Sequence, residues 1–182
     1  MALFKFKVVL IGDGAVGKSS LRRRFMGETF EKQYIMTIGA DFSAKVFDVG
    51  NTKVKFVIWD LAGQPHFRQV RADFYRGARG ALVIYDITRR KTFENVVPWM
   101  EEFLKNCGKR DVAAVLIGNK VDLRPKTPGA VSTEEGMKMC ELLKAKFKIP
   151  VRFFETSALT GENVNEAFYA LALALLKRPG EA

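Results

Sequence analysis

Apolar and polar positions along the chain fall into two alternating periods. Phe4 to Ile11 ends in the unbroken run Val8-Val9-Leu10-Ile11 and predicts a buried strand. Leu21 and Phe25, four apart within Ser19 to Met26, predict a helix with one inward face, leaving Arg22-Arg23-Arg24 to solvent or a partner. Gly27 to Ala40 has neither period and reads as an irregular connection. Asp41 to Val49 and Lys53 to Asp60 then form two strands joined by Gly50-Asn51, a hairpin signal. After a loop from Leu61 to Pro65, Phe67 to Arg76 predicts a short helix ended by Gly77, and Ala81 to Tyr85 predicts another buried strand. A helix is expected over Thr92 to Cys107, stopped by Gly108, and a strand over Val112 to Ile117. Ser132-Thr133-Glu134-Glu135 is a capping box and opens the next helix. Val151 to Phe154 is the sixth strand. The last helix, Gly161 to Lys177, carries Val164, Phe168, Leu171 and Leu175 at helical spacing. The implied class is α/β: a six-stranded, mostly parallel sheet with one antiparallel edge strand and five helices on both faces. In such sheets ligands bind beyond the strand C-termini.

Chemistry concentrates at those ends. Between the first strand and first helix lies Gly12-Asp13-Gly14-Ala15-Val16-Gly17-Lys18-Ser19, the pattern G-x-x-x-x-G-K-[ST] of a phosphate-binding loop. Its glycines allow the tight turn that points successive N–H groups into one concavity at a helix N-terminus. Lys18 adds a charge that can reach the β and γ phosphates, and the Ser19 hydroxyl can ligate Mg²⁺. Asp60-Leu61-Ala62-Gly63-Gln64 follows the Phe56 to Trp59 strand. There Asp60 can hold Mg²⁺, Gly63 can bring its N–H to a γ phosphate, and Gln64 can orient an attacking water. Asn119-Lys120-Val121-Asp122 follows the fifth strand. A carboxylate such as Asp122 accepts from both the N1–H and 2-amino group of guanine, a pair that adenine lacks. Asn119 can tie this segment back to the phosphate loop, and the Lys120 stem can lie over the base. Glu155-Thr156-Ser157-Ala158 ends the sixth strand and can offer the Ala158 N–H to guanine O6. In the irregular connection, Thr37 offers a hydroxyl to Mg²⁺ and an N–H to the γ phosphate, Tyr34 can cover the phosphates, and Phe30 can pack on the base edge.

Composition narrows the classes. At 182 residues the chain is one domain, and 15 Phe predict a core rich in aromatic packing. The net charge of +10 would suit an anionic surface, but the basic residues are scattered, so nucleic acid is not an expected partner and membrane contact is weak and electrostatic at most. Cys107 and Cys140 have no metal-ligand spacing and read as reduced thiols in a cytoplasmic protein, or one peripheral to membranes. Lys5 and Lys7 interrupt the N-terminal apolar stretch, so no signal peptide is expected. No apolar run approaches the ~20 residues of a membrane span. Residues 125–130 form too short an insertion for the acceptor lid of a phosphate-loop kinase.

Taken in this order, the motifs resemble those of the Ras superfamily of small GTPases, most of all its Rab branch, from Lys5 to about Leu176. The Rab character lies in Thr37-Ile38-Gly39-Ala40-Asp41-Phe42, Trp59-Asp60, Tyr75-Arg76-Gly77-Ala78 and Thr160-Gly161-Glu162-Asn163-Val164. The resemblance implies a single G domain over residues 1–182, binding GTP or GDP with Mg²⁺ and hydrolysing GTP slowly. It implies catalytic roles for Gln64, Lys18 and Thr37, and metal ligation by Ser19, Thr37 and Asp60. The nucleotide would be held by residues 12–19 with Ser20, Phe30, Tyr34, Thr37, Gly63, Asn119, Lys120, Asp122, Leu123, Ser157, Ala158 and Leu159. Residues 34–42 and 60–76 would be switch segments of a monomer, read by effectors, exchange factors and GTPase-activating proteins. The alternative is a GTP-binding module with little turnover.

The departures from the family pattern matter too. Gly14 replaces a common serine and leaves room for water and a helper arginine. No arginine of the chain itself is evidently placed at the phosphates, so a partner's arginine finger, worth ~10³–10⁵ in rate, is the expected accelerator. Pro65 follows Gln64 and restricts it to extended backbone, narrowing how the glutamine samples its pose. Phe74 replaces a tyrosine in an aromatic trio with Phe42 and Trp59, and Leu159 replaces a lysine beside the base, which weakens guanine affinity modestly. The last six residues hold no cysteine: either the chain is trimmed there or the protein does not anchor by lipid.

Overall fold

A computed structural model describes residues 2–28 and 39–177. The strands are β1 (Leu3–Ile11), β2 (Ala40–Val49), β3 (Thr52–Leu61), β4 (Gly80–Asp86), β5 (Ala113–Asn119) and β6 (Val151–Thr156). They form one sheet in the order β2-β3-β1-β4-β5-β6. Only the β2–β3 pairing is antiparallel, in the register Val49↔Thr52 around the Gly50-Asn51 turn. Gly50 takes φ 59°, the left-handed conformation that such a tight hairpin requires. The order reverses between β1 and β4, and their C-terminal ends carry the phosphate loop and its neighbours.

Among the described residues the α-helices are α1 (Lys18–Met26), α2 (Arg68–Tyr75), α3 (Arg90–Glu94), α4 (Val96–Asn106), α5 (Thr133–Phe147) and α6 (Val164–Leu176). The sequence pattern predicts five; the sixth arises because the expected Thr92–Cys107 helix breaks at Asn95 (φ −84°, ψ 0°). Pro98 is the cause. It has no N–H to give the Glu94 carbonyl, and its ring crowds that oxygen, so a continuous helix would fail there. In the first turn of α4 the missing donor costs nothing. The helix expected from Phe67 begins instead as a 3-10 turn, Pro65–Phe67, that runs into α2.

Both faces of the sheet are buried. On one, Phe6, Val8 and Leu10 of β1 meet Leu21 and Phe25 of α1 and Phe168, Leu171 and Leu175 of α6. The rings of Phe25 and Phe168 stack in parallel with centroids 4.0 Å apart. On the other, Val9 and Ile11 meet Tyr75, Trp99, Met100, Phe103 and Leu143 from α2, α4 and α5. The alternation along β1 assigns its residues to the two cores, as a period of two requires.

One expectation fails at α1. Arg22 does not face solvent: it is buried, donating to Asp41 Oδ2 at 2.9 Å and to Ser43 Oγ at 3.3 Å, with Nε 3.8 Å from Asp60 Oδ2. The hairpin folds its carboxylates over this helix face, and a buried guanidinium is tolerated because they pair with it. Nothing within α1 reveals that neighbour.

Candidate functional site

The loop between β1 and α1 is held by its carbonyls. Lys18 Nζ donates to Gly12 O (2.8 Å) and Asp13 O (2.9 Å), Arg89 Nη2 to Gly14 O (2.8 Å), Lys120 Nζ to Ala15 O (2.8 Å) and Asn119 Nδ2 to Val16 O (3.0 Å). Five successive carbonyls are thus taken by four side chains from three parts of the chain. Held this way, the loop presents its N–H groups to the concave side, the arrangement of an anion nest at a helix N-terminus. Gly12 at φ 144°, Gly17 at φ 103° and Ala15 at φ 63° make the turn. A Cβ on Gly17 would strike Asn119 Nδ2. Burial lowers Lys18 from the usual lysine range to about 8, with Asp60 and Asp13 opposing the shift. The side chain of Asp13 faces away from the nest: it accepts from Asn95 Nδ2 (2.7 Å) and Trp99 Nε1 (2.8 Å).

Ser19 donates through Oγ to Asp60 Oδ2, joining the start of α1 to the end of β3. Asp60 is fully buried, and its Oδ1 has no hydrogen-bond partner among the described residues. Burial raises its carboxyl above the ordinary range, against hydrogen bonding from Ser19 and the charges of Lys18 and Arg22. A hydroxyl and a carboxylate with one spare buried oxygen form a hard-oxygen donor set that fits Mg²⁺. Gly63 lies flush against the loop, where an added Cβ would stand 2.7 Å from Gly14 N and 2.6 Å from the Asp13 carbonyl carbon. Gln64 follows with φ −70°, ψ 142°, the extended backbone that Pro65 imposes.

The ends of β5 and β6 meet next to the loop. Thr156 Oγ1 donates to Asn119 Oδ1 (2.9 Å), which turns the amide so that Nδ2 points at Val16 O. Ser157 Oγ donates to Asp122 Oδ1 at 2.7 Å and fixes the carboxylate. Lys120 sits at φ 72° and pairs with Asp86 Oδ2 at 2.9 Å. Burial alone would raise Asp86, but hydrogen bonds from Thr88 and Lys120 outweigh it and hold the carboxyl below its usual range. Ala158 is buried in this corner, while Leu123 and Leu159 are exposed at its edge. Ser20 lies in the first turn of α1. Phe30, Tyr34 and Thr37 lie outside the described residues.

Sequence reasoning missed several participants. Arg89 is an arginine of the chain itself at the rim of the loop. Arg71 of α2 is buried and donates from Nη1 to Ala62 O (2.8 Å) and Gln64 O (2.9 Å). Trp99 and Asn95 bind Asp13 across 86 and 82 positions of sequence. No local pattern marks these contacts; an Asp inside a glycine-rich loop is the one weak hint that a donor must come from elsewhere. The aromatic trio does form, with Trp59 5.0 Å from Phe42 and 5.1 Å from Phe74 between ring centroids.

Comparison with known proteins agrees with this geometry. The family model described as "Ras: Ras family" matches residues 7–177. The chain belongs to the Ras family. It is similar to Ras-related protein Rab-13 of Canis lupus familiaris, 41% identical over 175 residues that cover 96% of this chain and 82% of that protein. Rab-13 of Bos taurus matches with the same identity and coverage. Ras-related protein RABA5b of Arabidopsis thaliana is 46% identical over 165 residues, 91% of this chain and 72% of that protein. This Ras-family chain is therefore a Rab-like small GTPase: it binds GTP and GDP with Mg²⁺, hydrolyses GTP, and acts as a switch served by effectors, exchange factors and activating proteins. Among its described residues no helix is long and apolar enough to cross a membrane.

Proposed function

We propose that residues 1–182 act as one G domain whose nucleotide site is the loop corner described above, and that the protein is a Rab-like switch in membrane trafficking. The observation that carries the site is the capture of all five carbonyls from Gly12 to Val16 by side chains. It leaves the loop amides, and the remaining donor of the Lys18 ammonium, for polyphosphate. Asp122, steadied by Ser157, selects guanine; Asn119 joins that corner to the loop; Lys120 flanks the base, with Leu123, Ala158 and Leu159 around it. Ser19 and Asp60, with Thr37, would hold Mg²⁺, which when bound neutralises charge on the β and γ phosphates. Phe30 and Tyr34 would complete the pocket. Gly63 offers its N–H beside the loop, and Gln64 orients the water that attacks in line with the leaving oxygen.

Residues 34–42 and 60–76 would be the surface that partners read. The exposed ring of Phe42 over Trp59 gives that surface an apolar centre. The working form is a monomer, cytoplasmic or peripheral to membranes. The test is to load the protein with GTP and Mg²⁺ and follow conversion to GDP in single turnover. Slow conversion is expected, at least tenfold slower in Gln64→Leu. Failure to retain any guanine nucleotide would overturn the assignment.

A further inference from the structure

Arg71 joins the segment that carries Gln64 to the rest of the site. Its guanidinium is engaged on every side. One edge donates to both carbonyls that flank Gly63, those of Ala62 (2.8 Å) and Gln64 (2.9 Å). The opposite edge forks onto Glu102 of α4, with Nε 3.0 Å from Oε2 and Nη2 2.9 Å from Oε1. Its plane lies over the Trp99 ring, 4.4 Å from the centroid. Trp99 in turn donates from Nε1 to Asp13 in the phosphate loop. Tyr75 donates its hydroxyl to the same Glu102 carboxylate, and Arg68 approaches it to 3.6 Å from the solvent side. The Arg71 side chain is only 4% exposed.

We propose that Arg71 is a positioning residue for the hydrolysis, setting the pose of Gln64 and coupling it to the phosphate loop through Trp99 and Asp13. The inference rests on Gln64 being the residue that orients the attacking water. First, the Gln64 carbonyl accepts twice, from Arg71 and from the Phe67 N–H at 3.1 Å, so its peptide plane cannot rotate without breaking both bonds. Second, Pro65 already confines Gln64 to extended backbone; the proline limits ψ, and Arg71 holds the carbonyl within that limit. Third, the fork geometry is specific to arginine. A lysine at this position keeps the charge but cannot hold two carbonyls, a carboxylate and a ring face at once. The glutamine is thereby pre-organised by a buried network that begins at the loop it serves.

The experiment is single-turnover GTP hydrolysis by four proteins: wild type, Arg71→Lys, Gln64→Leu and the double variant. GDP dissociation rate and thermal midpoint are measured on each. If Arg71 acts through Gln64, Arg71→Lys slows hydrolysis roughly ten- to a hundredfold, as expected for a small misplacement of a catalytic group. The same change on the Gln64→Leu background then costs nothing further, and GDP dissociation stays within about twofold of the parent in both backgrounds. A wild-type rate in Arg71→Lys overturns the proposal, as does an equal loss in both backgrounds, which would mean a general structural effect. If Gln64→Leu itself hydrolyses normally, the reading of Gln64 has failed and the proposal falls with it; that result is distinct, because it appears without touching Arg71. Should Arg71→Lys fold poorly, Glu102→Gln supplies the second arm. It leaves Arg71 and both carbonyls in place but weakens the fork, so it slows hydrolysis several-fold on the wild-type background only; no slowing there also overturns the proposal.

Discussion

Tyr85 shows how one buried atom can work against the fold. Its hydroxyl has no hydrogen-bond partner among the described residues and lies where a Cβ on Gly118 or on Gly136 would come within 2.7 Å. Burial, followed by the charge of Glu155, pushes the phenol well above its ordinary range, so it stays neutral. Removing an unsatisfied hydroxyl without changing the ring should be neutral or stabilising, so Tyr85→Phe is expected to gain up to about 1 kcal/mol in urea unfolding. Arg89 is a second residue whose effect is local. It is half exposed, bridges Asp86 and the Gly14 carbonyl, and supports no core. Arg89→Ala should leave the unfolding midpoint unchanged but free one loop carbonyl. The expected result is nucleotide dissociation a few-fold faster, by roughly the worth of one charge-assisted hydrogen bond to an exposed partner.

At the level of elements, α5 combines a good start with a tight fit. Ser132 and Glu135 form the capping box that the sequence predicts, and Arg90 of α3 adds a two-pronged ion pair to the same Glu135, with contacts of 2.7 and 3.2 Å. Arg90, with help from the Ser132 N–H, lowers the Glu135 carboxyl from 4.5 to about 2. A depressed carboxylate contributes stability above its unfolded value that is lost as pH falls through the folded one. Wild type should therefore lose its advantage over Glu135→Gln between about pH 4.5 and pH 2, with a constant difference above that window; acid-titrated unfolding midpoints check this. One turn on, Gly136 faces Phe153 and the Tyr85 hydroxyl so closely that an added methyl has no room. Gly136→Ala improves helix propensity by up to about 1 kcal/mol, yet overpacking should win, giving a net loss of about 1–2 kcal/mol. If the variant is instead more stable, α5 can shift outward more freely than its contacts imply.

At the level of the whole molecule, the sheet order brings the ends of β1, β3, β5 and β6 together, and the proposed site spans residues from Gly12 to Leu159. A ligand that bridges these ends should tie their stability to nucleotide concentration. At 100 times its dissociation constant, GDP with Mg²⁺ should add about 2.7 kcal/mol to unfolding, and chelating the Mg²⁺ should remove part of it. Thermal melts across a GDP series with and without chelator test this. A melting temperature that does not respond to GDP would contradict the site.

Much of this was legible in the sequence, for a local reason. Strand and helix periods are set by side chains a few residues apart, and the phosphate loop, the Asp60 to Gln64 segment, the Asn119 to Asp122 segment and the Ser157-Ala158 corner are contiguous motifs at strand ends. The hairpin turn and the capping box were readable in this way; the Asn119 tie to the loop was read from the chemistry of its motif, and the aromatic trio from the family resemblance. Pro98 was also visible, but a strong apolar period across Thr92 to Cys107 masked the break it causes. What tertiary structure alone decided were the long-range partners of the basic residues. Nothing adjacent in the chain marks Arg22, Arg71 or Arg89 for the partner each one meets. Folding buries the first against Asp41, forks the second between Glu102 and the Gln64 carbonyl, and sets the third on Gly14. A guanidinium on a long, flexible stem has no period of its own, so its role depends on which acceptors the packed elements bring within its reach.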